Sequence, residues 1–395
     1  MPGKLLSKMW ESDPSIDAPA RYRRACRYEA YLPDELSSLN INIDGVLAGI
    51  IAEAEQAVRQ LNDEGGNALA PLARFLLRTE SIASSKVEGM QVGVRELARA
   101  EARAESGNKT GETSAEVLAN IDAMTLAVEK AAETEWFSEA EIVAIHRRLF
   151  VHSPQHRIAG RIRSSQNWIG GNDYNPCSAD FVPPPPDTLD ALLADLCAAI
   201  NDDTLPPLVQ AALVHAQFET IHPFEDGNGR TGRALVHIVL KRRGIAPRFL
   251  PPISVIFANA KNRYIDGLNS FRGVGVNEWI EQFASATFQS AKLAQSYLAS
   301  VRTLQNRWRD ALAASETAPR ADAAAWTIID QLPAHPMISA PVAVAITNRA
   351  KTRVYEAIDQ LTNAGVLMPL STGRRNRWWE ASGLLDLIGQ LEGLK

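Results

Sequence analysis

Twelve consecutive residues, His222 to Arg233, read HPFEDGNGRTGR and gather a histidine, an aspartate, an asparagine, three glycines and two arginines. The apolar run LVQAALVHAQFETI precedes them and ALVHIVLKRRG follows, so the spacing predicts a helix, a loop and a second helix beginning near Gly229. The first amides of a helix lack internal acceptors and lie at the positive end of its dipole. Gly227 and Gly229 remove side-chain bulk there, so an anion can approach the bare amides. Arg230 and Arg233, three positions apart, share a helix face and would present two guanidinium forks to the same anion. Asp226 is a hard oxygen donor suited to Mg2+ shared with phosphates. His222 is suited to accepting a proton near neutral pH. Base, metal ligand, amide nest and arginine pair are the parts that transfer from a nucleotide requires.

Two other readings of this stretch fail. It has no Walker lysine followed by Ser or Thr, so it is not a P-loop. Gly227-x-Gly229-x-x-Gly232 spells a dinucleotide fingerprint, but a helix leads into it where a strand is needed, and no acid follows about 20 residues on. His215 and His237 read as packed or surface residues, and with His222 they lack the spacing of a zinc site.

The run HPFEDGNGRTGR resembles the signature of the Fic domain family, with every fixed position filled. The resemblance implies adenylylation: AMP moves from ATP, with Mg2+, to a Tyr, Thr or Ser hydroxyl of a target protein or of the chain itself. Carried onto these positions, it makes His222 the base and Asp226 the metal ligand. Gly227, Asn228 and Gly229 would bind the α-phosphate region, Arg230 and Arg233 the outer phosphates, and Phe224 would anchor the loop. RIRSSQNWIGG resembles the family's flap, so Gln166, Asn167, Trp168, Ile169 and Gly170 would dock the target main chain as an added strand. For Trp168 a packing role is the plainer alternative. The likeness covers most of residues 15 to 300. Where some members carry a Tyr-Tyr pair and a later Asn, this chain has Tyr264-Ile265 and Arg272, so no residue is assigned to the base.

SSKVEGM places Ser84 and Glu88 one helical turn apart, with Gly89 suited to end the helix. This is similar to the family's inhibitory motif, which implies that Glu88 pairs with Arg233 and excludes a productive γ-phosphate. Such a glutamate can instead position a water for removal of AMP, and the sequence does not separate the two.

These residues need elements to hold them. Residues 1 to about 40 read as an extended arm, and 44 to 89 as helical. A loop is expected around Gly107 to Gly111, and Ser138 opens a capping box before EIVAIHRRLF. Gly170-Gly171 and Asn172-Asp173 mark a hairpin-like turn that Pro183 to Pro186 end. From Pro319 the order becomes helix, short helix, turn, longer helix and two strands around Gly373, the pattern of a winged helix. The expected fold is mainly α: a Fic-type helical core with a small β-hairpin flap, plus a C-terminal winged helix-turn-helix domain. The expected domains are residues 1–110 with the inhibitory helix, 111–300 as catalytic core, and 301–395.

Six basic residues (Arg349, Lys351, Arg353, Arg374, Arg375, Arg377) face three acidic ones (Glu356, Asp359, Glu380) between Pro336 and Ser382, whereas the whole chain has a formal charge of -5. That local excess fits DNA, and a protein-docking role fits equally. A DNA-binding regulator with a nucleotide-sensing core is therefore the competing function, beside transfer of another group. The net charge argues against a protein that coats nucleic acid generally. Composition is ordinary for a globular chain, with 46% hydrophobic and 22% charged residues. No apolar run spans a membrane, and the amino terminus lacks a secretory pattern. Cys26, Cys177 and Cys197 are far apart and odd in number, which suggests neither a disulfide framework nor a zinc site. The expectation is a cytoplasmic, reduced protein, with a homodimer left open.

Overall fold

The computed structural model describes residues 3–15, 17–63, 70–105, 110–150, 153–370 and 377–391. The chain opens with strands β1 (Gly3–Trp10) and β2 (Cys26–Pro33), then α1 (Gly45–Asp63), α2 (Ala70–Val87), α3 (Val94–Glu105), α4 (Glu112–Glu129) and α5 (Glu139–Phe150). Next come α6 (Leu189–Asn201), α7 (Pro207–Ile221), α8 (Asn228–Arg242), α9 (Ile253–Asn259), α10 (Lys261–Arg272) and α11 (Val276–Ala313). The last elements are α12 (Ala324–Gln331), β3 (Met337–Ser339), α13 (Ala340–Thr347), α14 (Lys351–Asn363), β4 (Leu367–Pro369), β5 (Trp378–Ala381) and α15 (Leu384–Leu391). The mainly helical expectation holds. Among the described residues, no helix is long and apolar enough to cross a membrane.

The chain forms two compact units, one from residues 1–56, 122–245 and 259–288, the other from 57–121, 246–258 and 289–395. The first is built around α7 and α8. Every α7 residue from Leu208 to Ile221 is buried, and so is every α8 residue from Arg230 to Leu240. Helices buried on all sides are core elements rather than amphipathic surface helices. Their close approach depends on Gly232, where a Cβ would lie 2.7 Å from Glu219 Oε1 and 3.0 Å from Phe218 Cδ1. Ser138 caps α5 as expected: Glu141 Oε2 accepts from Ser138 N–H at 2.8 Å, and Ser138 Oγ accepts from Ala140 N–H at 3.3 Å.

Two expectations about this unit need correction. Residues 3–33 are not a simple extended arm but an antiparallel hairpin, with register from Gly3 opposite Pro33 to Trp10 opposite Cys26. Its side-chain alternation is masked by Lys, Arg and Glu at positions that stay in solvent, so the period-two signal is weak. Cys26 and Cys177 form a disulfide, with Cα atoms 6.1 Å apart, against the expectation of unpaired thiols. Their 151-residue separation leaves no spacing pattern to read. Cys197 is the free, buried cysteine among the described residues.

In the second unit, α12, α13 and α14 pack with a three-stranded sheet in the order β3-β5-β4. Trp379 in β5 is the large side chain at its centre, flanked by Ile338 and Leu367 from the neighbouring strands and by Ile328 and Ile358 from the helices. Tyr297 of α11 joins the same core, its ring 5.2 Å from Phe75 of α2. The turn at Gly373, the arginines Arg374 and Arg375, and the loop at Gly107–Lys109 lie outside the described residues.

Candidate functional site

The loop between α7 and α8 is tied at both ends. His222 is the left-handed C-cap of α7, with φ 50° and ψ 59°, and its N–H donates to Phe218 O at 2.9 Å. Left-handed backbone is uncommon outside glycine, so this conformation is one the surroundings must enforce. His222 Nδ1 stands 3.4 Å from Glu219 O. A carbonyl only accepts, so this contact fits the tautomer protonated on Nδ1, in which Nε2 is the basic nitrogen. At the other end Gly227 has φ 78°, and a Cβ there would lie 2.6 Å from Phe150 Cε2. Only glycine fits both constraints.

Asn228 closes the loop from inside: its Oδ1 accepts from Phe224 N–H and its Nδ2 donates to Phe224 O, both at 2.9 Å. The side chain is thus spent on loop shape, and what Asn228 offers a ligand is its backbone amide. The amides of Asn228, Gly229 and Arg230 precede the first i→i−4 bond of α8, from Thr231 N–H to Gly227 O at 3.1 Å. Asp226 accepts from Gly227 N–H at 2.5 Å and keeps a 54% exposed side chain, with Arg230 Nη2 3.8 Å from its Oδ1. Arg230 and Arg233 are almost fully buried. The Arg230 guanidinium carbon lies 5.1 Å from the Phe150 ring centroid.

Phe224 is fully buried and stacks flat on His146 of α5, centroids 3.7 Å apart and planes within 4°. His146 Nδ1 accepts from Gly160 N–H at 2.9 Å, which leaves Nε2 protonated to donate to Asp226 O at 2.9 Å. Burial pushes the His146 pKa down to about 4, so the ring is neutral at physiological pH. Arg163 holds the loop from the flap side. Its Nε donates to His222 O at 2.9 Å, Nη1 to Ser165 O at 3.0 Å, and Nη2 to Pro184 O at 2.6 Å and Ile221 O at 3.4 Å. Burial lowers its pKa to about 10, which still leaves it charged.

The flap residues meet this loop directly. Asn167 Nδ2 donates to Phe224 O at 2.9 Å and to His222 O at 3.3 Å, while Gln166 Nε2 donates to Pro183 O at 2.9 Å. Ile169 bridges to Phe181, its N–H donating to Phe181 O at 2.8 Å. Gly170 and Gly171 turn the chain with φ 75° and 76°. Trp168 is a packing residue: its ring meets Trp10 at 5.5 Å and its Nε1 donates to Asn172 O at 2.6 Å. Beneath the flap, the Arg272 guanidinium carbon lies 3.7 Å from the Phe181 centroid, with Nη2 3.3 Å from Glu219 O, the carbonyl that orients His222. Burial lowers the Arg272 pKa to about 10.

The first unit therefore brings together His222, Asp226, Gly227, Asn228, Gly229, Arg230 and Arg233 with the flap residues Gln166 to Gly170. Sequence reasoning missed His146, Arg163 and Arg272 as supports of the loop. His146 left a trace, because it occupies the apolar face of α5 beside Ile142, Ile145 and Leu149. His215 and His237 are buried, and His215 Nε2 is 2.9 Å from Tyr264 Oη. No group of three or more His, Cys, Asp or Glu among the described residues is placed to hold a metal. A single half-exposed carboxylate does fit Mg2+, which commonly keeps water and substrate phosphates as its other ligands.

In the second unit, Ser84 is buried in the last turn of α2, and Glu88 follows one residue beyond the helix end, exposed, its N–H donating to Ser85 O at 3.1 Å. Gly89, at φ 85°, ends the turn as expected. Asn120 of α4 fastens this end of α2 through Ser81 O at 2.7 Å and Ser85 Oγ at 3.0 Å.

Residues 136–240 match the Fic/DOC family, and residues 50–129 match the Fic/DOC family N-terminal region. Protein adenylyltransferase fic-1 of Caenorhabditis elegans is 34% identical over 122 residues, 30% of this chain and 22% of the relative. Protein adenylyltransferase Fic of Nematostella vectensis is 33% identical over 164 residues, 40% of this chain and 34% of the relative. The chain thus spans about a third or less of the length of these curated relatives. A crystal structure of a Fic family protein from Desulfovibrio desulfuricans aligns over 87% of this chain and 98% of its own, with a TM-score of 0.53 and 18% identity, a likeness of fold.

Proposed function

We propose, from the match of residues 136–240 to the Fic/DOC family and of residues 50–129 to its N-terminal region, an adenylyltransferase that moves AMP from ATP to a protein hydroxyl. The observation that carries this reading is the position of His222 at the start of the loop, its Nδ1 3.4 Å from Glu219 O. In the tautomer with Nδ1–H toward Glu219 O, Nε2 would serve as the base, a group that nucleotide sensing alone would not need.

In this reading the target hydroxyl oxygen attacks the α-phosphorus of ATP while His222 Nε2 takes its proton. The bond from the α-phosphorus to the bridging oxygen breaks, and pyrophosphate leaves. The amides of Asn228, Gly229 and Arg230 receive the α-phosphate oxygens, and Arg230 and Arg233 bind the departing phosphates. Mg2+, held by Asp226, would supply further charge stabilisation to the phosphates. Arg163 and His146 touch no substrate here; they fix the carbonyls of His222 and Asp226 and so keep the loop in one shape. The strand-like bridge at Ile169 supports the flap as the edge on which a target main chain docks.

The Ser84–Glu88 element supports a brake on the same chemistry, the carboxylate competing with phosphate for the fork of Arg233. Label transfer from α-32P-ATP with Mg2+ tests both parts. Glu88→Gly is expected to raise labelling of the chain itself or of added protein, and unchanged labelling would sink the brake.

A second reading is favoured by one observation, the exposure of Lys351, Thr352, Arg353 and Tyr355 along the start of α14. Read as the recognition helix of a winged helix, this face would meet DNA, with Arg353 partly engaged by Glu356 at 2.9 Å. Binding to genomic fragments that weakens steeply with salt, and weakens further in Lys351→Ala, is the expected result. Salt-independent binding would instead favour a protein partner.

A further inference from the structure

The flap is held by the amino-terminal hairpin at four points. Trp10, at the end of β1, packs edge-on against Trp168 at 5.5 Å. Tyr22 stacks on Tyr174 at 5.4 Å, and Tyr22 O accepts from Asn175 Nδ2 at 2.8 Å. Tyr31 N–H donates to Val182 O at 2.9 Å. Cys26, directly opposite Trp10 in the hairpin, is bonded to Cys177 on the returning arm of the flap. Three of these contacts are noncovalent and individually weak; the fourth is covalent and chemically reversible.

We propose that Cys26 and Cys177 are a thiol–disulfide exchange site that sets the stiffness of the flap and, through it, the docking of a target chain. The inference rests on the reading of the flap as the docking edge. Cys177 is exposed and Cys26 half-buried, so both are open to small thiols and disulfides, whereas Cys197 is enclosed, with burial pushing its thiol up to about 12. The co-reactant is a low-molecular-weight disulfide, RSSR. The Cys177 thiolate attacks one sulfur of RSSR, forms a mixed disulfide and expels RS−. The Cys26 thiolate then attacks the Cys177 sulfur and expels the second RS−. Two protein thiols are oxidised to one disulfide, RSSR is reduced to two RSH, and the protons lost by the cysteines pass to the leaving thiolates.

The bonded state pre-orders the edge to which a target strand would add, so less ordering remains to be done on docking. Reduction leaves the aromatic contacts, the hydrogen bonds at Tyr22 and Tyr31, the Ile169–Phe181 bridge and the Arg272–Phe181 contact to hold the returning arm. Neither Cys26 nor Cys177 is hydrogen-bonded to the loop from His222 to Arg233, whose flap contact is Asn167 on the outgoing arm and whose other supports are Asn228, His146 and Arg163, so the base and phosphate positions stay while the returning arm loosens.

The test uses the full chain equilibrated with oxidised or reduced glutathione. Thiols are counted after denaturation, and deuterium exchange is read on peptides covering residues 165–181. With oxidised glutathione the count is expected to fall from three to one, the survivor being Cys197, and exchange at Ile169, Asp180 and Phe181 to slow by about tenfold while α7 and α8 do not change. Cys26→Ser and Cys177→Ser should each exchange at the reduced rate in both buffers; reduction of the wild type gives the same comparison if either variant folds poorly. Three thiols at every glutathione ratio would overturn the proposal, and so would a count of one with identical flap exchange. A chain that transfers no label yet stiffens its flap on oxidation would sink the transfer reading and leave the exchange site standing.

Discussion

The loop from His222 to Arg233 and the flap from Ser165 to Phe181 lie in the same unit, yet they are held in different ways. The loop is fixed from every side by buried groups: Asn228 from within, His146 and Phe150 from α5, Arg163 from the flap base. The flap has one bridge of its own, at Ile169, is tied by Asn167 to the loop and by Phe181 to Arg272, and otherwise leans on a hairpin more than 130 residues earlier. A reacting geometry has to be present when substrate arrives, so rigidity there serves chemistry. A docking edge has to accept different backbones, so it tolerates weaker support.

Changes to the loop should therefore cost much more than changes to the flap. The largest effect is expected from Gly227→Ala, which forces a side chain into φ 78° and against Phe150. Strain and overpacking together should cost about 4 kcal/mol in chemical denaturation, with transfer lost. A loss under about 1 kcal/mol would mean that the loop is looser than its contacts imply.

Acid should act on the loop next. His146 falls from an ordinary pKa of 6.5 to about 4 in the folded chain, so below 6.5 the unfolded chain takes up the proton first. Its contribution is complete above pH 6.5 and is lost progressively down to about 4, by about 3 kcal/mol in all. Denaturation midpoints of wild type and His146→Gln should converge as pH falls through this window; a constant gap would contradict the neutral buried ring.

Chemistry at the half-exposed carboxylate comes third. Asp226→Asn should reduce transfer about a hundredfold without changing thermal stability, and chelation of Mg2+ should do the same to the unsubstituted chain. Equal loss of stability would reassign Asp226 to loop structure. The smallest effect belongs to the flap: Trp168→Ala removes one edge-on ring contact and the Nε1–H bond to Asn172 O, together worth about 2 kcal/mol, so flap exchange should quicken while the loop is unaffected. Matching changes in both regions would erase the distinction between them.

The same contrast governs what is legible in the sequence. The loop's chemical groups are contiguous, so residue types and helix periodicity are enough to place His222, Asp226, the glycines and both arginines together. Its supports are distant: His146 and Arg163 reach it from separate segments, and a buried arginine in RIRSSQNW carries no periodic signature. Asn228 is legible as part of the site, but its use in closing the loop is not, because a spacing does not say where a side-chain amide points. The pairing of Cys26 with Cys177 is hidden for a related reason. A bond across 151 residues is set by tertiary structure, and the alternation of β1 and β2 that would have placed Cys26 is blurred by exposed charges. At the C-terminal end the helices α12 to α14 and the strands flanking Gly373 are readable from local texture, whereas the three-residue β3 and the closing α15 are not, because so short a strand carries no alternation of its own.

The central claim is that His222 is the base of an AMP transfer held in check by Glu88. It is tested most directly by label transfer from α-32P-ATP with Mg2+ in the wild type, Glu88→Gly, and Glu88→Gly combined with His222→Ala. Strong label in the single variant, weak label in the wild type and at least about a hundredfold loss in the double variant are expected. Label that survives loss of His222, or its absence from all three chains while nucleotide still binds, would contradict the account.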